Sequence, residues 1–227
     1  MKPTRALLIF AKAPKAGSVK TRLHSAVTPQ LAAQIHAACI ADTLRLARSL
    51  RNCDVIIFAA DGSSYFRRAL QEQNRRHKRA KTVRVLPQKG RDLGERLQNA
   101  HRIVFARGYR SAVVIGTDSP WMGKARVRAA FAALRKADIV IGPAEDGGYF
   151  LLGMRENHAE LFREIPWSTE RVCELTMRLA KNAGLRVRRL RRDFDLDRPE
   201  DLRRARKMLR KNPHRAPALA KLLRALK

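Results

Sequence analysis

Cationic side chains surround a turn that directly follows the first apolar segment of the sequence. Residues 6–10 have the composition of a buried strand, and the next segment, 11–23 (AKAPKAGSVKTRL), contains Lys12, Lys20 and Arg22. A loop at the carboxyl end of the first strand of an open α/β sheet can bind phosphate, because its backbone N–H groups approach the anion closely. Lysines would add point charges, and an arginine could contact two phosphate oxygens at once. The segment therefore predicts a phosphate site, with an ordinary exposed basic loop as the alternative.

A single aspartate follows the apolar segment 113–116, in the sequence Gly-Thr-Asp-Ser-Pro. The proline stops the strand, so Asp118 is expected to project from the carboxyl edge of the sheet. Mg²⁺ on a nucleotide diphosphate takes one or two protein carboxylates and completes its shell with water and phosphate oxygens. Asp118 is therefore a candidate metal ligand, and the alternative is that it only caps the next turn.

Two acids and two glycines stand between the apolar segments 139–142 and 149–152. Glycines allow a ligand to approach the backbone closely, and either acid could orient an acceptor hydroxyl or act as a general base. We assign the base role to Asp146. The predicted acceptor-binding residues are Glu145, Gly147, Gly148 and Tyr149. The alternative is a glycine-rich turn that only connects two strands.

Three aspartates, Asp193, Asp195 and Asp197, alternate with other residues ahead of a predicted helix that begins at Pro199. In an extended chain this alternation points Asp195 and Asp197 to the same side. Both are candidates for a second metal ligand. The alternative makes Asp197 the N-cap of the helix, with Glu200 completing an arrangement like a capping box.

Apolar segments with strand character alternate with segments of helical periodicity along the chain. This alternation predicts an α/β fold with a mostly parallel central sheet and helices on both faces. We expect one domain over residues 1–211 and a basic amphipathic helix in 212–227, which could dock on the domain or form an oligomer interface. The predicted strands are 6–10, 55–59, 83–86, 113–116, 139–142, 149–152 and 185–190. The predicted helices are 29–50, one from about 64, 93–104, 126–136, 169–183, 199–211 and 216–227.

The charge of the chain is unusual for a protein of 227 residues, because 49 Lys and Arg against 20 Asp and Glu give +29. Such an excess predicts non-specific polyanion binding, to nucleic acid or an acidic membrane. The alternative, a solvated basic surface, is favoured by the lack of aromatic residues within the basic runs. No apolar stretch is long enough to span a membrane, and the three cysteines lack disulfide or zinc spacing. We therefore expect a cytoplasmic protein.

Taken together, the motifs resemble the rSAM/selenodomain-associated transferase family, a glycosyltransferase-like branch of the nucleotide-diphospho-sugar transferase superfamily. AKAPKAGSVKTRL, QKGRDLGERL, IGTDSP, GPAEDGGYFLLG, IPWST and DLDRPEDL occur in the order usual for the family, across residues 6–202. The resemblance implies a Rossmann-like glycosyltransferase type A fold, with a nucleotide at the first half of the sheet and an acceptor at the second.

The resemblance also implies roles for individual residues, and Mg²⁺ or Mn²⁺ as the cofactor. Asp118 becomes the leading metal ligand, followed by Asp197 and then Asp195. Lys20 and Arg22 are expected to act in catalysis by neutralising the departing phosphates. The residues expected at the donor phosphates are Lys12, Lys20, Thr21 and Arg22. Those expected near the base or ribose are Gly90, Asp92 and Gly94.

Two enzymatic functions use this set of residues. The favoured one is glycosyl transfer from a nucleotide sugar to a small-molecule acceptor that the sequence does not identify. The other is nucleotidyl transfer from a nucleoside triphosphate to a phosphorylated acceptor, which the Lys-Thr-Arg cluster favours. A third hypothesis is that the chain is a basic nucleic-acid-binding protein whose transferase fold has lost its enzymatic activity. ATPase and NAD-dependent functions are disfavoured, because the loop after the first strand has neither Walker nor GxGxxG spacing.

Overall fold

Apolar strands of the chain form one sheet in the computed structural model, which describes residues 4–76 and 83–226, without the side chains of 72–76. The strands lie in the order β3-β2-β1-β4-β6-β5-β7. Neighbouring strands are parallel, except that β6 runs antiparallel to both β4 and β5. The mostly parallel sheet predicted from the sequence is therefore confirmed. The strands are β1 Arg5–Ala11, β2 Asp54–Ala59, β3 Val83–Pro87, β4 Ser111–Ile115, β5 Ile139–Pro143, β6 Tyr149–Met154 and β7 Val187–Arg189.

Helices cover both faces of the sheet, as the sequence predicted. Successive residues of a strand point to opposite faces, and in β1 Leu7 and Ile9 pack into one core cluster while Ala6 and Leu8 pack into the other. The first cluster includes apolar residues of α1, α2 and α4, and the second includes residues of α3 and α5. The helices are α1 Pro29–Arg48, α2 Ser63–Arg76, α3 Leu93–Ala106, α4 Gly123–Ala133, α5 Val172–Asn182, α6 Pro199–Lys211 and α7 Pro217–Ala225.

Strand direction brings the predicted motifs to one edge of the sheet. β1, β4, β5 and β7 run parallel, so the segments that follow them all emerge at the same edge. β6 runs in the opposite direction and therefore begins at that edge. The basic loop after β1, Asp118 after β4, the acidic turn between β5 and β6, and the aspartates after β7 consequently share one side of the molecule.

The C-terminal helix packs on the rest of the chain. The buried carboxylate of Asp42 in α1 accepts hydrogen bonds from the backbone N–H groups of Ala218 and Leu219, at 3.0 and 2.9 Å. Leu219 and Leu223 join a third core cluster that also contains residues of α1 and α6. The helix in residues 212–227 thus docks on the rest of the chain, which was one of its two predicted roles. A role in oligomer formation stays a prediction.

The capping alternative for Asp197 and Glu200 is wrong. Helix α6 begins at Pro199 with Arg198 as its N-cap residue. The Oδ2 atom of Asp201 accepts from the N–H groups of Arg198 at 2.7 Å and Asp197 at 3.1 Å. Asp201 therefore fills the place given to Glu200, and the Asp197 carboxylate is left for another contact.

Cys39, Cys53 and Cys173 are buried, and none of them forms a disulfide bond. Within residues 4–76 and 83–226, no helix is both long and apolar enough to cross a membrane. Part of the strongly basic stretch, residues 77–82, lies outside the described residues.

Candidate active site

Lys20 connects three segments at the carboxyl edge of the sheet. It has a left-handed backbone conformation (φ 50°) just before a short 3-10 helix, and its side chain is only 3% exposed. Its ammonium group donates to Oδ1 of Asp118 at 2.5 Å and to the carbonyl oxygen of Leu196. The loop after β1, the end of β4 and the segment after β7 are thus joined by one buried cation.

Asp118 lies at the end of β4 with half of its side chain, 49%, exposed. Partial enclosure disfavours the charged carboxylate, but the charge and hydrogen bond of Lys20 outweigh this effect and lower the pKa of Asp118. Burial likewise opposes the charge on Lys20, but the charge and hydrogen bond of Asp118, together with the charges of Cys39 and Asp197, outweigh it and raise the Lys20 pKa. The two groups therefore form an ion pair, and the Asp118 carboxylate is held by Lys20 rather than serving as the cap of the next turn.

Asp195 is the carboxylate that the structure places beside Asp118. The backbone N–H of Leu196 donates to the carbonyl oxygen of Asp118 at 2.8 Å, and the Ser119 hydroxyl donates to the Asp195 carboxylate. Burial, followed by the negative charge of Asp118, raises the pKa of Asp195 to about 7. Negative charge is therefore concentrated at this point of the edge, which is the chemistry of a cation site.

Asp197 lies on the same side of the chain as Asp195, as the alternation predicted, because Phe194 and Leu196 are buried while both aspartates line one cleft. Its Oδ2 atom accepts from Nη1 of Arg22 at 2.7 Å, in a partly exposed ion pair. Asp195 lines both clefts together with Asp118, whereas Asp197 lines only the second. The order of these aspartates as metal ligands stays a prediction.

Two clefts meet at these carboxylates. The first has a volume of about 340 Å³, and its lining includes Phe10 and Gln88. The second has a volume of about 1110 Å³, and its lining includes Arg22 and Trp167. The residues that line both clefts are Leu93, Asp118, Tyr149 and Asp195. A ligand in the first cleft and another in the second would thus meet at the two aspartates.

The residues predicted near a base or ribose do not line the first cleft, but they hold the structure next to it in place. Gly90, Asp92 and Gly94 are absent from the lining of both clefts. Asp92 caps α3, because its Oδ1 atom accepts from the N–H of Glu95 at 2.8 Å. A Cβ atom on Gly94 would lie 2.4 Å from Nε1 of Trp167, so this glycine makes room for the indole. The residues of this stretch that line the first cleft are Gln88, Leu93 and Leu97.

The other predicted phosphate ligands differ in position. Lys12 lines the first cleft, and its ammonium donates to the carbonyl oxygen of Ser18 at 3.0 Å. Arg22 lines the second cleft, whereas Thr21 is exposed and lines neither. Lys12 and Arg22 thus line different clefts, both of which include Asp118.

The acidic turn between β5 and β6 forms one wall of the second cleft. Asp146 Oδ1 accepts from the N–H of Gly148 at 2.9 Å, and Glu145 accepts two hydrogen bonds from Arg204. Gly147 has φ +88°, and a Cβ there would lie 1.9 Å from the carbonyl oxygen of Glu170. Only glycine fits this close approach. The turn therefore has a structural role in addition to the predicted acceptor contacts.

Several residues that line the clefts were missed by sequence reasoning. His36 of α1 lines the first cleft, and its Nε2 lies 3.0 Å from the carbonyl oxygen of Lys12. Glu170, just before α5, and Glu174, in the first turn of α5, line the second cleft together with Trp167. The IPWST motif was a signal for Trp167, but no local pattern marks an acid at the start of a helix as part of a distant cleft.

The excess positive charge lies largely outside these two clefts. A separate cleft of about 830 Å³ is lined by basic residues of the β1 start, the α1–β2 connection and α4, namely Arg5, Arg51, Lys124, Arg128 and Arg135. Polyanion binding stays a prediction, and this is the surface at which to test it.

The junction of the two clefts offers some, but not all, of the ligands that a divalent cation needs. In the portion of the chain that the structure describes, no three His, Cys, Asp or Glu side chains are grouped to hold a metal ion. Asp118 and Asp195 offer two carboxylates beside open cleft volume. Mg²⁺ commonly uses one or two carboxylates and takes its other oxygens from water and substrate phosphates. The residues present therefore suit a metal that arrives with a phosphorylated ligand.

Sheet order, the reversed strand β6 and clefts at the carboxyl edge define a Rossmann-like α/β fold of the nucleotidyltransferase and glycosyltransferase kind. The chain belongs to the family described as "uncharacterized protein conserved in bacteria (DUF2064)", whose profile matches residues 43–169. The association with rSAM or selenodomain proteins stays a prediction. No curated protein matches the chain.

Solved structures share the fold over nearly the whole chain. A protein of Desulfovibrio desulfuricans G20 named "putative nucleotide-diphospho-sugar transferase" is 29% identical, with a TM-score of 0.88, over 98% of this chain and 94% of that one. The 4-diphosphocytidyl-2C-methyl-D-erythritol synthase of Anaerococcus prevotii DSM 20548 is 9% identical, with a TM-score of 0.60, over 91% and 97% of the two chains. A CMP:2-keto-3-deoxy-manno-octonic acid synthetase in complex with CTP is 11% identical, with a TM-score of 0.54, over 92% and 99%. The last two likenesses concern the fold alone.

Proposed function

We propose that the protein transfers a glycosyl group from a nucleoside diphosphate sugar to a small-molecule acceptor, with Mg²⁺ or Mn²⁺ as cofactor. The observation that carries this proposal is the meeting of two clefts at Asp118 and Asp195. A transferase needs two ligands with their reacting groups in contact. The likeness to the Desulfovibrio protein supports a nucleotide sugar as the donor.

The first cleft is the proposed donor site. Phe10, Gln88 and Leu93 would surround the base and ribose, and Lys12 would face the phosphates. Asp118 and Asp195 would hold the metal ion, which supplies positive charge against the diphosphate. Arg22 lies beside the junction and would add charge to the departing diphosphate.

The second cleft is the proposed acceptor site, with Tyr149 at its border with the first. The acceptor hydroxyl oxygen would form a bond to the anomeric carbon, and the bond from that carbon to the diphosphate would break. The proton would pass to the carboxylate of Asp146, which is exposed on the cleft wall. The nucleoside diphosphate would then leave the first cleft.

Nucleotidyl transfer is the second candidate function. One observation favours it: Lys12, Lys20 and Arg22 all lie on the short segment that follows β1, where a triphosphate could be held. In this reaction an oxygen of the acceptor phosphate would form a bond to the α-phosphorus of the triphosphate, and the bond from that phosphorus to the departing pyrophosphate would break. The two functions thus differ in the donor that binds and in the phosphate product.

The test is thermal stabilisation by nucleoside diphosphates, triphosphates and nucleotide sugars, each with and without Mg²⁺ at fixed salt. A donor at 100 times its Kd stabilises the folded state by about 2.7 kcal/mol, which raises Tm by about 5 to 10 °C for a domain of this size. Mg²⁺-dependent stabilisation by one nucleotide sugar, with glycosylated product from it, is the expected result. Selective stabilisation by a triphosphate, with release of pyrophosphate, would favour the second candidate instead.

The metal assignment is tested with Asp118→Asn and a charge-matched control. We expect Asp118→Asn to lower Mg²⁺-dependent turnover about 100-fold or more, in the range seen when one electrostatic contact to the transition state is lost. Glu164→Gln removes a negative charge from an exposed residue outside both clefts and should leave turnover unchanged. Near-normal turnover of Asp118→Asn would refute the assignment.

A further inference from the structure

The second cleft has a charge opposite to that of the chain. Among the residues that the structure describes, nine Asp and Glu line it but only three Lys and Arg do, whereas the whole chain has 20 acidic and 49 basic residues. An even distribution would give the reverse ratio, because basic residues outnumber acidic ones by more than two to one. The distribution therefore requires an explanation beyond the general composition.

Some of these acids already have partners. Asp118 and Asp197 pair with Lys20 and Arg22. Glu145 pairs with Arg204, and Asp201 caps α6. These contacts account for part of the negative lining by structure alone.

Four other acids on the cleft are unpaired. Asp146, Glu170, Glu174 and Glu200 are exposed, and within the described ranges none of them forms a salt bridge. Exposed carboxylates in a strongly basic protein would be expected to attract its own lysines and arginines. Their charges instead face the cleft.

The wall that carries Glu170 and Glu174 is firmly held against the acidic turn. The N–H of Cys173 donates to the carbonyl oxygen of Gly147 at 2.9 Å, and the Gly147 Cα packs directly on the backbone of Glu170. Trp167 lies on the same wall, close to Gly94 of α3. The cleft thus presents carboxylates and an indole from a supported backbone.

This combination selects for positive charge. Carboxylates attract an ammonium group and repel a phosphate, and the face of an indole attracts a cation. A phosphorylated acceptor would meet repulsion from the cleft, whereas a protonated amine would gain from every unpaired carboxylate.

We propose that the acceptor is a positively charged, amine-bearing small molecule, and that Glu170 and Glu174 select it. This inference rests on the proposed function, because it takes the second cleft as the acceptor site. It also separates the two candidate functions, since nucleotidyl transfer calls for a phosphorylated acceptor.

The experiment compares three related sugars of different charge: glucosamine, N-acetylglucosamine and N-acetylglucosamine 6-phosphate. Binding is followed by quenching of tryptophan fluorescence in the presence of Mg²⁺ and the best nucleotide from the stabilisation panel. Trp121 is 1% exposed, so a change on binding reports on Trp167. We expect glucosamine to bind most tightly and the phosphorylated sugar most weakly, with the difference shrinking at high salt.

The variants assign the selectivity to particular residues. Replacing both acids, Glu170→Gln with Glu174→Gln, should weaken glucosamine binding about fivefold, as for two exposed ion pairs of modest energy. Binding of the neutral sugar should not change. Glu164→Gln carries a matched change outside the cleft and should alter neither affinity.

Two results would overturn the inference. One is binding of the phosphorylated sugar as tight as or tighter than that of glucosamine, and the other is a failure of glucosamine to bind to protein that still binds its nucleotide with Mg²⁺. An unchanged glucosamine affinity in the Glu170 and Glu174 variant would remove these residues as the selecting groups. If no nucleotide binds but glucosamine remains preferred, the transferase proposal fails and the charge selectivity of the cleft stands.

Discussion

Removing the two partners of the Lys20–Asp118 pair should have unequal effects on stability, because the partners differ in exposure. The Lys20 side chain is 3% exposed, whereas that of Asp118 is 49% exposed. Asp118→Asn leaves a buried ammonium without its counter-charge. Lys20→Met leaves a carboxylate that water can still solvate, together with the unpaired carbonyl of Leu196.

The magnitudes follow from these exposures. Loss of one partner of a fully buried ion pair lowers the free energy of unfolding by about 3 to 5 kcal/mol. Because Asp118 is half exposed, we expect Asp118→Asn to fall at the lower end of that range, at about 3 kcal/mol. Lys20→Met should cost about 1 kcal/mol, the scale of a partly exposed pair and one hydrogen bond. The double variant should be more stable than Asp118→Asn alone, because it no longer buries an unpaired charge.

The assay is urea unfolding and thermal melting without nucleotide and with a chelator present. At about 2 to 4 °C per kcal/mol for a domain of this size, Asp118→Asn should lower Tm by about 6 to 12 °C and Lys20→Met by about 2 to 4 °C. The difference in stability between Asp118→Asn and the unaltered protein should shrink as the pH rises toward the ordinary lysine pKa of about 10.4. Burial opposes the charge on Lys20, so without Asp118 we expect the Lys20 pKa to fall and the folded state to release this proton before the unfolded chain does. A Lys20→Met variant less stable than Asp118→Asn, or a double variant with the sum of both losses, would refute the reasoning.

Two further predictions concern groups outside the metal centre. His101 is buried with its Nδ1 2.8 Å from the carbonyl oxygen of Leu97, and burial lowers its pKa to about 4. As the pH falls, the histidine of the unfolded chain is therefore protonated before that of the folded protein. We expect a loss of about 3 kcal/mol in the free energy of unfolding between pH 6.5 and pH 4. His101→Gln should flatten that part of the curve in urea unfolding, and an unchanged slope would contradict the assignment. Gly147→Ala combines φ +88° with a Cβ contact of 1.9 Å, whereas Gly17→Ala at φ +78° meets open space. The first should cost about 2 kcal/mol more than the second in thermal or urea unfolding, and equal costs would show that the turn can move away.

Much of the fold follows from local patterns. Apolar runs at residues 6–10 and 113–116 required buried strands, and the structure has them as β1 and β4. Because the chain leaves a strand at a defined end, the positions of the basic loop and of Asp118 at the sheet edge could also be predicted. Proline at position 199 marked the start of α6 correctly. These properties depend on residues that are close together in the sequence.

The details of the candidate site depend on contacts between distant residues. Lys20 and Asp118 are 98 positions apart, and Arg22 and Asp197 are 175 positions apart. Local patterns did not indicate that a glutamate at the start of α5 would face the acidic turn. Gly90, Asp92 and Gly94, which the resemblance places near a base or ribose, also shape the start of α3 and the place of Trp167.

The sequence by itself determined the kind of fold, the edge of the sheet that carries the chemistry and the residue types available there. Side-chain periodicity and strand-end position are local properties, and the order of residues specifies them directly. The tertiary structure decided which carboxylates meet, which of them are paired by the protein's own cations, and how two clefts share Asp118 and Asp195. These outcomes depend on strand order and on the reversal of β6, because segments far apart in the chain come together only when the whole sheet has formed.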